Sequence, residues 1–166
     1  MRVPIRKPGK YTHSKPDLHL TKEKFNELKR ELEKLKKIAQ PQTSKEVMRL
    51  AEDGDFSENA AYQMAKGRLR GINQRILELE EQVGHAEMIE PAGDTGTVQL
   101  GNKVTIESDG VKRSYRILGS LETDPAKGII SYNSPMGAAL MSHTVGDIVK
   151  MKLTNKEIEC RIVEIE

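Results

Sequence analysis

Apolar residues recur at alternating intervals of three and four along the first half of the chain. The first run consists of Phe25, Leu28, Leu32, Leu35 and Ala39. The second run keeps the same spacing over seven intervals and consists of Tyr62, Ala65, Leu69, Ile72, Ile76, Leu79, Val83 and Ala86. This spacing is the heptad pattern of coiled-coil helices. Gly54 and the small polar residues around it predict a chain reversal between the two runs. Residues 20–90 are therefore predicted to form an antiparallel helical hairpin whose acidic tip lies near residues 52–59.

Two residues mark the start of the first helical arm and an interruption within it. Thr21 suits the N-cap position, and Glu23 follows it in the first turn. Pro41 lacks the backbone N–H that a helix interior needs, so a kink or break is expected near residues 38–42. With roughly 30 residues in each arm, the hairpin is expected to reach about 45 Å.

The pattern changes to strand alternation after a predicted linker at 91–96. Strands are predicted around Val104–Ile106, Tyr115–Ile117, Ile129–Tyr132, Ile148–Leu153 and Ile158–Ile165. Ser108-Asp109-Gly110 predicts a hairpin turn, and Ser134-Pro135 predicts the start of a short helix that runs through Met141. Residues 97–166 are therefore predicted to form an α+β domain with a mostly antiparallel sheet and one helix.

Composition narrows the class of protein. The 166 residues contain 27 Lys+Arg, 25 Asp+Glu and one cysteine, Cys160, which excludes an internal disulfide framework. No apolar run approaches the roughly 20 residues that span a bilayer, and no signal-peptide pattern follows the start, so we expect a cytoplasmic protein without a membrane segment. Residues 1–19 are predicted to be a basic extension, because the first sixteen positions hold five basic residues and no acid. A solvated arm is favoured there over a nucleic-acid contact.

Carboxylates without basic neighbours concentrate at the predicted tip. Asp55 and Glu58 are three positions apart, which places them in one helical turn if the second arm begins there. Carboxylate oxygens suit Mg²⁺, although two of them leave its coordination incomplete. Spacing alone favours the alternative that the two acids cap the helix, and both roles are compatible. An EF-hand is excluded, because Glu58 stands where its loop requires glycine.

Basic residues follow the tip on the second arm. Lys66 and Arg70 are one turn apart and could form a stripe that faces phosphates. Such charges more often line the solvated flank of a coiled coil.

Two segments carry a family resemblance. Gly54-Asp55-Phe56-Ser57-Glu58-Asn59-Ala60 resembles the signature of the bacterial Gre transcript cleavage factors. Ser134-Pro135-Met136-Gly137-Ala138-Ala139-Leu140, followed by Val145-Gly146-Asp147, resembles their second signature. The similarity extends from about Leu20 to Ile165. The chain departs from the family at Phe56, where an aliphatic residue or arginine is usual.

The resemblance implies a fold and a mechanism. The second domain would have an FKBP-like fold and dock on bacterial RNA polymerase through Ser134, Pro135, Met136 and Gly137. The hairpin would enter the secondary channel as far as the nascent RNA 3′ end of a backtracked complex. Asp55 and Glu58 would then be the catalytic acids and would hold a Mg²⁺ ion jointly with the polymerase. The family also has an RNA-contacting basic patch, for which the candidates are Lys66, Arg68 and Arg70.

The implied role is a monomeric accessory factor that stimulates RNA cleavage by the polymerase. One alternative is a regulator that occupies the same channel without promoting cleavage. A second is a peptidyl-prolyl isomerase, which is disfavoured because residues 95–166 contain no Phe or Trp to line its pocket. A third, a plain coiled-coil adaptor, does not explain the acidic tip.

Overall fold

The computed structural model describes residues 17–52, 60–90, 96–153 and 156–166. An antiparallel helical hairpin is followed by a domain with a mostly antiparallel sheet and one short helix, so the predicted α+β fold class is confirmed. The helices are α1 (Lys22–Lys34), α2 (Gln40–Ala51), α3 (Ala60–Gly84) and α4 (Pro135–Leu140). The strands are β1 (His19–Leu20), β2 (Glu87–Met88), β3 (Lys103–Ser108), β4 (Val111–Leu118), β5 (Ile129–Ser131), β6 (Ile148–Leu153) and β7 (Lys156–Ile165).

The base of the hairpin contains its own small core. Leu20, Leu28 and Leu79 are buried together, with Leu32 and Val83 packed around them. Leu28, Leu32, Leu79 and Val83 belong to the apolar stripes of the two arms, as the heptad spacing predicts, whereas Leu20 lies in β1. At the start of α1, the hydroxyl of Thr21 accepts a hydrogen bond from the Lys24 N–H at 3.2 Å, which confirms the predicted N-cap.

Pro41 changes the helical hydrogen bonding without ending the arm. The segment Leu35–Ala39 between α1 and α2 is π-helical, and the Gln40 N–H donates to the carbonyl of Leu35, five residues back. Because Pro41 has no N–H to give to the carbonyl four residues before it, a wider turn at this point accommodates the missing bond. The expected break is thus a π-helical segment, after which α2 continues to Ala51.

Polar pairs between the two arms fix their register. Arg75 binds both carboxylate oxygens of Glu31, at 2.8 and 3.0 Å. Further cross-arm pairs are Lys36–Glu80, Gln40–Asn73 and Arg68–Glu46. From Lys36 through Gln40 to Glu46, the partners on the other arm fall from Glu80 through Asn73 to Arg68, so the arms are antiparallel.

The second domain is built on a five-stranded sheet with the order β5-β4-β3-β7-β6. Every neighbouring pair is antiparallel except β4 and β5, which run parallel. The predicted turn between β3 and β4 is confirmed: Asp109 and Gly110 both have positive φ, 52° and 74°, as a tight two-residue hairpin turn requires.

Helix α4 covers the buried face of this sheet. The core there contains Val104, Ile117, Leu140 and Ile162, each at 0% exposure. Cys160 lies in the same core, and burial raises the pKa of its thiol.

A feature that the sequence pattern did not predict closes the hairpin at its base. Strands β1 and β2 pair in parallel, with His19 opposite Glu87 and Leu20 opposite Met88. The described contacts of the hairpin base thus include residues before Phe25, where the heptad pattern starts. None of the helices in the described ranges combines the length and apolar character needed to cross a membrane.

Candidate functional site

The two predicted catalytic acids lie outside the described residues. Asp55 and Glu58 belong to residues 53–59, which connect α2 to α3. The last described residue before them, Glu52, follows the end of α2, and α3 begins at Ala60. Within the described ranges, no three His, Cys, Asp or Glu side chains are arranged to hold a metal ion. The prediction that Asp55 and Glu58 bind Mg²⁺ therefore depends on the chemistry of their carboxylate oxygens.

Lys66 and Arg70 form an exposed basic stripe on α3, a little beyond the acidic segment. They are four positions apart and therefore lie on one face of the helix. The Lys66 ammonium lies 5.8 Å from the centroid of the Tyr62 ring, a cation–π distance. Neither cation has an ion-pair partner among the described residues, so both charges face solvent.

Arg68 is placed differently from its two basic neighbours. Its Nη2 donates to Oε1 of Glu46 at 2.8 Å, so the side chain reaches across the hairpin to α2. Both side chains of this pair are more than a third exposed. Arg68 can thus reach a phosphate only by leaving a carboxylate on the opposite arm, whereas Lys66 and Arg70 need no such exchange.

The predicted docking motif is the capped start of α4 in the second domain. Ser134 is the N-cap of α4: its hydroxyl accepts from the Gly137 N–H at 3.0 Å and donates to the Ser131 carbonyl at 2.6 Å. Pro135 occupies the first helical turn and is exposed, and Met136 is half-buried. Ser134 and Gly137 thus shape the motif, while Pro135 and Met136 present its surface.

Gly137 is buried where α4 approaches the end of β5. A Cβ at this position would overlap the Ser131 carbonyl oxygen and lie 2.9 Å from the Tyr132 Cα. Only glycine allows this close approach of helix and strand.

An apolar cavity of about 240 Å³ opens beside Met136. Its lining includes Tyr115, Met151 and Ile158, and Arg113 and Asp109 stand among its polar residues. Among the described residues, Tyr115 is the one aromatic residue in the lining. This cavity lies next to the exposed surface of the docking motif and gives it an apolar recess.

The Val145-Gly146-Asp147 segment forms a loop held by Asp147. The Asp147 carboxylate accepts from the Thr144 N–H at 2.8 Å and from the Thr144 hydroxyl at 3.1 Å. Its Oδ2 also lies 3.4 Å from Nδ1 of His143. The N–H and hydroxyl of Thr144 hold the pKa of Asp147 below its ordinary value, against the smaller opposing effect of burial. The acid therefore remains an ionised acceptor that orders the loop.

A junction between the hairpin and the second domain involves residues that the sequence pattern did not predict. Glu122 accepts two hydrogen bonds from Thr21, and Asp17 accepts two from Ser120. The partners are 101 and 103 positions apart, and no local motif marks either pair. Spacing along the sequence therefore held no signal for this site.

Both halves of the chain match known protein families. Residues 18–88 match the family described as transcription elongation factor, N-terminal, and residues 93–166 match transcription elongation factor, GreA/GreB, C-term. The two matches meet near the boundary between the hairpin and the second domain.

Individual relatives extend over nearly the whole chain. Transcription elongation factor GreA of Thermomicrobium roseum is 39% identical over 149 residues, which cover 89% of this chain and 96% of the relative. GreA of Mesoplasma florum is 36% identical over 152 residues, covering 90% and 97%. Among solved structures, GreA factor homolog 1 of Thermus thermophilus is 28% identical and covers 90% of this chain and 99% of that one, with a TM-score of 0.42.

Proposed function

The chain belongs to the GreA/GreB family of transcription elongation factors, and on that premise we propose that it acts inside a bacterial RNA polymerase. The second domain would dock on the enzyme, and the hairpin would enter the secondary channel to stimulate cleavage of backtracked RNA. The observation that carries the proposal is the presence of both Asp55 and Glu58 between the two arms of a hairpin. A protein of this kind is an accessory factor, and the polymerase performs the cleavage.

The two acids would contribute ligands to a metal site that the polymerase completes. A pair of carboxylates suits Mg²⁺ in its donor atoms but fills only part of an octahedral shell. When bound, Mg²⁺ would stabilise the charge that develops on oxygen during phosphodiester hydrolysis. The role proposed for Asp55 and Glu58 is to hold oxygen ligands at that point and to orient the attacking water through hydrogen bonds.

The basic stripe would contact the displaced RNA. Lys66 and Arg70 are exposed, share one helix face and carry charges that no described acid neutralises, which supports contact with phosphates. Arg68 would join them by exchanging Glu46 for a phosphate group. Lys66 and Arg70 thus form the proposed RNA-contacting face, and Arg68, which lies on a different face of α3, would contact RNA only after leaving Glu46.

The docking surface would be the exposed start of α4 and its adjoining recess. Pro135 and Met136 offer apolar contact area, and the Ser134 cap holds the helix start in one conformation. A partner side chain could enter the cavity beside Met136. Such a rigid apolar surface is suited to a stable protein contact rather than to catalysis.

RNA cleavage in a backtracked polymerase complex with Mg²⁺ tests the proposal. The native protein would be compared with Asp55→Asn and Glu58→Gln, and with Glu81→Gln, which removes the same charge from the far end of α3. We expect both tip variants to lose stimulation while their Kd for polymerase stays unchanged, and Glu81→Gln to retain it. A native protein that binds without stimulating cleavage would instead identify a channel-occupying regulator.

The RNA surface has a separate test. Crosslinking of the extruded RNA 3′ segment to the factor is expected to fall for Lys66→Gln and Arg70→Gln, and its dependence on salt should become shallower because each variant makes one phosphate contact fewer. Arg68→Gln serves as the charge-matched comparison, because it also breaks the pair with Glu46. An equal loss of crosslinking in all three variants would show that the ion pair with Glu46 does not limit the contact of Arg68 with RNA.

A further inference from the structure

The hairpin and the second domain meet through an unusually close backbone approach. Gly119, which follows β4, is buried against His19 of β1. A Cβ on Gly119 would overlap the His19 carbonyl oxygen and lie 3.1 Å from its carbonyl carbon. Both obstacles are backbone atoms, so no side-chain rotation could make room. The contact therefore requires glycine at this position.

Two carboxylates cross this junction in opposite directions. From the second domain, Glu122 accepts from the Thr21 N–H at 2.6 Å and from the Thr21 hydroxyl at 2.7 Å. From the hairpin side, Asp17 accepts from the Ser120 N–H at 2.7 Å and from the Ser120 hydroxyl at 2.9 Å. Each domain thus supplies one carboxylate, which accepts hydrogen bonds from donors of the other domain. Four short hydrogen bonds arranged this way restrain rotation about the junction more than a single pair could.

Both acids bind at positions that other hydrogen bonds or burial also hold in place. Thr21 is the N-cap of α1, so Glu122 holds the first residue of the helical arm. The Asp17 side chain is only 7% exposed and also accepts from the His19 N–H at 3.2 Å. Burial raises the pKa of Asp17, but the hydrogen bonds from His19 and Ser120 together outweigh it and lower the pKa below its ordinary value. The carboxylate is therefore ionised at neutral pH, and hydrogen bonds to a sheltered charge are strong ones.

Small rotations at the junction become large displacements at the tip. The 25 residues of α3 extend about 37 Å at 1.5 Å per residue. A tilt of about 10° at the base would move the far end of such a helix by about 6 Å. Catalytic positioning is sensitive to shifts of about 1 Å. An unrestrained junction would therefore spread the tip over positions that cannot all be productive.

We propose that Asp17, Glu122 and Gly119 are positioning residues that form an interdomain latch, which fixes the angle of the hairpin and thus the place of the tip in a docked complex. This inference rests on the proposed function only for its effect on RNA cleavage. The restraint itself is a property of the free protein and can be measured without polymerase.

The test begins with interdomain distances in the free protein. Spin labels on Gly71→Cys in α3 and Lys112→Cys in β4, in a Cys160→Ala background, report the angle between the domains by pulsed electron resonance. We expect one narrow distance distribution for the native junction. The double variant Asp17→Ala/Glu122→Ala should broaden it, and Gly119→Ala should shift it. Gly67→Ala, which meets no atom within 4 Å, is the matched glycine control.

A conservative variant and an activity measurement separate positioning from folding. Thr21→Ser keeps both donors to Glu122 and should retain the native distribution. In the cleavage assay, the latch variants should lower the maximal rate at saturating factor by about tenfold or more with an unchanged Kd for polymerase. An unchanged distance distribution, or full cleavage despite a broadened one, would overturn the proposal. A native protein that fails to stimulate cleavage overturns the proposed function, and the distances then decide the latch independently.

Discussion

Replacing Gly137 by alanine sets two physical effects against each other. Gly137 is the third residue of α4, where alanine is favoured over glycine by about 1 kcal/mol in helix propensity. The added methyl group, however, would overlap the Ser131 carbonyl oxygen and lie 2.9 Å from both the Ser131 carbonyl carbon and the Tyr132 Cα. Real Cβ atoms essentially never approach closer than 3.0 Å, so α4 or the end of β5 must move.

The steric effect should win. Overpacking a close contact costs about 1–3 kcal/mol, and backbone obstacles place this site at the upper end. After the gain in propensity, Gly137→Ala should lower the free energy of unfolding of the second domain by about 2 kcal/mol. Propensity alone predicts the opposite sign.

Urea denaturation followed by tyrosine fluorescence measures this effect, since two of the four tyrosines, Tyr115 and Tyr132, lie in the second domain. Ala138→Gly is the control in the same helix: its exposed side chain is removed at a cost of about 0.5–1 kcal/mol. We expect both variants to have a lower free energy of unfolding than the native protein, and Gly137→Ala to have the lower value of the two. A Gly137→Ala protein as stable as the native one would refute the steric argument.

Three further predictions concern the hairpin. Gly67→Ala, on the exposed face of α3, should raise the free energy of unfolding by about 1 kcal/mol in thermal denaturation. Leu79→Ala should lower it by about 2–5 kcal/mol, because Leu79 is fully buried in the hairpin core. A double-mutant cycle on Glu31 and Arg75 should give a coupling of about 0.2–1 kcal/mol, as expected for a pair about 40% exposed. Hydrogen bonds from Arg75 lower the pKa of Glu31 from its ordinary 4.5, so this coupling should be complete at neutral pH and vanish as the pH falls through that lowered value.

Most of the fold could be predicted because its signals are local. The heptad spacing located α3, the polar turn at Asp109 located the β3–β4 hairpin, and Ser134-Pro135 located the start of α4. The π-helical segment was expected only as a break, since Pro41 identifies a missing hydrogen bond but not how the chain accommodates it.

The junction could not be predicted for a different reason. Glu122 and Thr21 are ordinary residues of a turn and a helix cap until the fold brings them to 2.6 Å. Arg68 was likewise only one of three basic candidates on the second arm, and only the register of the two arms shows that it reaches Glu46. Asp55 and Glu58 stay predictions, because they lie in residues 53–59 outside the described ranges.

Because β1 pairs with β2, the length of the hairpin can change without altering the rest of the fold. Because His19 stands opposite Glu87, the chain enters and leaves the hairpin at neighbouring points, about 4.8 Å apart across a strand pair. Insertions matched in both arms would therefore leave the rest of the protein untouched. Adding one heptad to each arm would carry the far end about 10.5 Å outward while preserving the contact face. The length of the hairpin can thus change in steps of one heptad while the β1–β2 pairing and the second domain stay the same.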